Sequence, residues 1–95
     1  MTKMQKFASV WDAIESSPQE AASMKARSHV MLAVRKMVDG WKTTQTDAAK
    51  RLGLTQPRLN DLLRGRIDRF SLDSLIDIAT RAGLSVSVKA TRRAA

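Results

Sequence analysis

Apolar side chains recur at intervals of three and four from residue 17 to residue 83, and the interval drops to two from residue 84 onward. Met24, Met31, Val34, Val38 and Trp41 share one face at helical spacing and predict a long first helix with a buried stripe. Ser17-Pro18-Gln19-Glu20 reads as its capping box with Pro at N1, and Gly40 stands where it should end. A second, short helix follows, capped by Thr44 and buried through Ala48, Ala49 and Leu52, with Gly53 just past its end. A third is capped by Thr55 and opened by Gln56 and Pro57. Leu59, Leu62 and Leu63 form its inward stripe, and Gly65 closes it. After a short basic loop, Arg66-Ile67-Asp68-Arg69, Ser71 caps a further helix with Asp73 in its first turn, Leu72, Leu75, Ile76 and Ala79 inward, and Gly83 beyond its end. Phe70 and Leu75 occupy the two positions of a hydrophobic staple. All four glycines thus stand just past an expected helix end.

Leu84, Val86 and Val88 alternate with polar residues, the signature of a strand with one buried face. A lone strand leaves its own backbone groups unpaired. Pairing with the same strand of a second subunit would give a two-fold contact through Leu84, Val86 and Val88. At the other end, Phe7, Val10, Trp11 and Ile14 make an apolar set too short for a stable isolated helix. The expected organisation is therefore a docking segment at 1–16, a helical domain at 17–83, a dimerisation strand at 84–90 and a flexible tail at 91–95.

Composition narrows the function. The chain has 95 residues, enough for one small domain, and a net charge of +8 from 17 Lys and Arg against 9 Asp and Glu. The surplus is uneven: residues 1–16 sum to zero, whereas 41–70 hold seven cationic and three anionic side chains. A basic surplus centred on the paired short helices favours a nucleic-acid partner. With no Cys and a single His, His29, neither a disulfide nor an all-protein zinc site is expected, and no cofactor is implied. His29 reads as an ordinary helix-face residue, and Trp11 and Trp41 as core rather than base-stacking platforms. No apolar run reaches the length of a membrane span, and no signal-peptide core is present, so the expected location is cytoplasmic, on the nucleoid when DNA is bound.

The stretch Thr44–Gly65 carries the chemistry. Its second helix buries leucines on one side and offers Gln56, Arg58, Asn60, Asp61 and Arg64 on the other, a set suited to base edges and phosphates in a major groove. Gln45, Ala49, Gly53, Gln56, Leu59, Leu62 and Gly65 together resemble the helix-turn-helix of phage repressors, the XRE or Cro type, including the eleven-residue step from Gln45 to Gln56. The string TQPRLNDLLRGRIDRFSLDSLIDIATRAGLSV is more similar still to small bacterial XRE regulators, many of them HigA-like antitoxins encoded beside an mRNA-cleaving toxin. The resemblance, over about residues 24–83, implies an all-α, five-helix repressor-like domain. It implies that Gln45 contacts phosphate and that Gln56 reads a base and bonds back to Gln45. Arg58 can reach guanine, Asn60 base or sugar, and Asp61 cytosine N4 or Arg58, while Arg64, Arg66 and Arg69 fit backbone clamping. With Thr55, these residues and Pro57 form the expected DNA-binding set. Pro57 departs from the phage pattern, removing a donor and leaving an apolar bump for a thymine methyl, so no known base code transfers.

The function implied is a repressor, dimeric on a palindromic operator in double-stranded DNA, and the autoregulating antitoxin of a toxin protein. A stand-alone regulator, or an interaction module whose helix-turn-helix is structural, is the rival in that class. An enzyme is disfavoured, because one His and no Cys offer little for acid–base or nucleophilic chemistry.

Overall fold

The computed structural model describes residues 17–92. Four α-helices and one 3-10 turn make up this part: α1 (Pro18–Trp41), α2 (Gln45–Leu52), α3 (Gln56–Leu63), the turn Ile67–Arg69 and α4 (Leu72–Arg81). Helix α1 packs most extensively on α4, and α2 packs on α3. The expected docking segment 1–16 lies outside the described residues, and so does any fifth helix there.

Three of the four helix starts form the bond that their sequence encodes. The hydroxyls of Thr44, Thr55 and Ser71 accept from the backbone N–H groups of Asp47, Arg58 and Ser74 at 3.1, 3.3 and 3.1 Å. All three cap residues are extended with ψ of 159–160°. Ser17 has ψ 95° and makes no such bond, so the expected capping box does not form, although Pro18 does open the helix.

The helix ends are equally regular. Leu54 N–H donates to the Ala49 carbonyl at 2.8 Å and Gly53 N–H to that of Lys50 at 3.1 Å, the paired closure of a Schellman motif. The pairs closing at Gly65 and Gly83 repeat it. Gly53 has φ +70°, and a Cβ there would lie 2.6 Å from Arg81 Nη1. Gly53→Ala should therefore cost about 1–2 kcal/mol from the left-handed backbone, measured as a lower urea midpoint. An unchanged midpoint would mean that the turn relaxes freely.

Gly40 does not end α1. The helix runs on through Trp41, and Lys42, at φ 54°, is the left-handed residue. The extra residue delivers the Trp41 ring to the core edge, where the Arg51 guanidinium stacks 3.9 Å from its centroid.

The core consists of Met31 and Val34 from α1, Ala48, Ala49 and Leu52 from α2, Leu59 and Leu62 from α3, and Phe70, Leu75, Ile78, Ala79 and Ala82 around α4. Val38, Trp41 and Leu63 pack against it partly buried. Met24 is half-buried and not among these packed residues. On α4 the buried line passes through Ile78, while Leu72 and Ile76 stay half-buried. Those two instead line a groove with α1 and the chain after Gly83.

Residues 84–92 are irregular, not a strand within the chain. Among the described residues, no backbone–backbone bond involves Ser85 or anything after it, so nothing pairs the segment into a ladder. The predicted alternation holds as far as Ser87, with Leu84 and Val86 packed against the core and Ser85 and Ser87 exposed, but not at Val88, which is 80 % exposed instead of facing inward.

Candidate nucleic-acid interface

Helices α2 and α3 are joined by three residues, Gly53-Leu54-Thr55, with Leu54 partly buried against the core. Ala48, Ala49 and Leu52 on one side and Leu59 and Leu62 on the other are each at most 3 % exposed, which anchors both helices by their inner faces. A side-chain bond links their starts: Gln56 Nε2 donates to Thr46 Oγ1 at 2.8 Å. The expected Gln56–Gln45 bond is not formed. Thr46, one residue along, is the partner that the eleven-residue spacing missed.

The exposed residues of α3 and its C-terminal cap are Gln56, Pro57, Asn60 and Arg64. Their three- and four-residue spacing puts them on one face over two turns. Gln45 is exposed at the start of α2. Thr55 spends its hydroxyl oxygen on the Arg58 N–H, so its first role is to cap α3.

Arg58 and Asp61 belong to the flank of α3 rather than to its outermost face. The Arg58 guanidinium lies 3.9 Å from the Phe70 ring centroid and donates to the Arg69 carbonyl at 2.7 Å. Asp61 does not orient Arg58. It receives Arg69 Nη1 at 3.4 Å on both oxygens and lies 3.8 Å from Arg66 Nε. From α1, Arg27 Nη1 donates to the carbonyls of Ile67 and Phe70 at 3.3 and 3.2 Å. The turn after α3 is therefore held by two arginines from different helices, fixing its position relative to the outer face. No local pattern pointed to Arg27, whose acceptors lie 40 and 43 residues away.

The electrostatics divide the site in two. Arg64 and Lys50 are exposed and have no ion-pair partner among the described residues, whereas Arg66 and Arg69 are paired with Asp61. No group of three His, Asp or Glu residues converges as a metal site among the described residues.

A family profile described as "Helix-turn-helix domain" matches residues 13–91. The chain belongs to the helix-turn-helix domain family. Among solved structures, this helix-turn-helix chain is similar to the one named "Putative XRE Family Transcriptional Regulator", with TM-score 0.71 and 22 % identity over 78 % of this chain and 83 % of that one. The likeness places the α1–α4 arrangement in an XRE-type fold. No curated protein matches the sequence. No helix among the described residues is long and apolar enough to cross a membrane.

Proposed function

We propose that this helix-turn-helix protein is a sequence-specific DNA-binding transcriptional regulator, a repressor that acts as a dimer on a palindromic operator. The observation that carries the reading is the outer face of α3, where Gln56, Pro57, Asn60 and Arg64 project while Leu59 and Leu62 are fully buried behind them. A helix so anchored can enter a major groove with its first turn toward the bases. Gln56, steadied by Thr46, can pair with adenine, and Pro57 offers an apolar surface to a thymine methyl. Arg64, Lys50 and the start of α2 at Gln45 contact phosphate. Arg58 reads a base only after leaving Phe70 and the Arg69 carbonyl.

Two copies would be joined through the Leu84–Val88 segments, whose backbone groups are free to pair. Their recognition helices would then meet half-sites about one helical turn, ~10 bp, apart. Fluorescence anisotropy on the chain's own promoter tests this. Arg64→Ala should remove one phosphate contact per subunit, lowering the salt slope of the dimer by about 1.8 and the affinity about thirtyfold at 0.15 M salt for every sequence. If the variant equals wild type, the face is misassigned.

The finer reading is the autoregulating antitoxin of a toxin pair. In this reading the toxin would cover the outward side of α1, where Leu32 is 51 % exposed. Co-expression with the product of the adjacent reading frame should yield a stable complex that Leu32→Asp weakens. A stand-alone regulator yields none.

A further inference from the structure

We propose that Asp61 limits non-specific DNA binding by holding Arg66 and Arg69 away from phosphates. The inference rests on the DNA-binding reading above. Arg66 and Arg69 flank the turn immediately after α3, beside the open Arg64, where cations beyond a recognition helix meet the DNA backbone. Both are tied to one carboxylate, at 3.8 and 3.4 Å. The Asp61 side chain is 18 % exposed, and those of Arg66 and Arg69 are 39 % and 52 % exposed. The anion is thus set behind the cations and is itself poorly placed to repel DNA directly. A guanidinium engaged with a carboxylate neutralises a phosphate, and releases its counterion, only by giving up that partner. The Arg69 backbone is also held, since its carbonyl is the acceptor that anchors Arg58.

Two classes of cation therefore stand at this surface. Arg64 is available to any duplex. Arg66 and Arg69 reach phosphate only where the contacts a site makes with the exposed face of α3 offset the loss of their Asp61 partner. The acid thereby lowers affinity for DNA in general and leaves specific sites favoured.

The test is the salt dependence of binding to a random-sequence duplex, for wild type, Asp61→Asn and Asp68→Asn. Asp68 lies in the same turn, is exposed, and has no ion-pair partner among the described residues, so its variant makes the same charge change without releasing an arginine. Asp61→Asn should steepen the salt slope by about 0.9, and tighten binding about fivefold at 0.15 M salt, for each arginine released in each bound subunit. Asp68→Asn should leave the slope at the wild-type value. Adding Arg66→Gln and Arg69→Gln together to Asp61→Asn should restore the wild-type slope. Equal slopes for wild type and Asp61→Asn, or for the two Asn variants, overturn the proposal. A wild-type protein that binds no duplex overturns the DNA-binding reading itself. Should Asp61→Asn fail to fold, the wild-type protein still decides through its arginine Nε–H resonances. A random duplex should move that of Arg64 and leave those of Arg66 and Arg69 in place, and movement of all three overturns the proposal.

Discussion

Phe70→Ala should destabilise the domain by about 3–5 kcal/mol, the range for removing a large buried aromatic side chain, read as a lowered urea midpoint. The ring is 2 % exposed and stands at the entry to α4, two residues before Leu72 and in the staple position to buried Leu75. Its loss would also strip Arg58 of the surface on which it stacks. Domains of this kind hold roughly 5–15 kcal/mol in total, so the variant should give up a large share of its stability. Phe70→Leu separates packing from stacking. It keeps most of the apolar volume and should cost less than about 1.5 kcal/mol, yet it removes the aromatic face. If Phe70→Ala and wild type melt together, the ring does not hold the turn to the core.

The sequence was most legible where the contacts are local. A Thr or Ser cap needs only the N–H three residues on, and a closing glycine needs only the preceding turn, so Thr44, Thr55, Ser71, Gly53, Gly65 and Gly83 are placed as their types demand. Ser17 and Gly40 show the limit of the same reasoning. Residue type permits a cap, but the bond at Ser17 also needs a ψ that the chain entering α1 does not adopt. At Gly40 the anchoring of Trp41, settled by Arg51 on another helix, carries α1 past the glycine.

The candidate site divides along the same line. Which residues of α3 are buried follows from period alone, and Leu59 and Leu62 obey it. Where the long cationic side chains go does not, because their partners come from elsewhere. Arg58 turns to a carbonyl eleven residues on, and Arg69 to an acid eight residues back. A short polar run of Gln, Arg, Asn, Asp and Arg therefore suggested one broad recognition face. The structure resolves it into a narrow exposed line and an ion-paired flank. Similarly, the period-two pattern after Gly83 placed Leu84 and Val86 inward but failed at Val88, which is 80 % exposed, and a ladder requires a second backbone, which the described residues do not supply.

That second backbone is the subject of the remaining large effect. Val88→Asp should convert the proposed dimer to monomers in equilibrium sedimentation. It should also weaken binding to a duplex carrying both half-sites by about 10²–10⁴-fold, the advantage lost when two linked contacts become independent. Val88 suits the test better than Val86 because it is 80 % exposed, whereas Val86 packs partly buried against the core. A charge at Val86 would disturb the fold and the dimer together. At Val88 the monomer should keep its thermal stability within about 0.5 kcal/mol, the usual range for an exposed site. Ser87→Pro offers an independent approach, since it removes one backbone donor from an exposed position and leaves the Leu84 and Val86 side chains unchanged. Both variants should retain single half-site binding, which depends on α2 and α3. If both remain dimeric with full two-site affinity, the subunits meet elsewhere, and α1, with Leu32 turned outward, becomes the surface to mutate next.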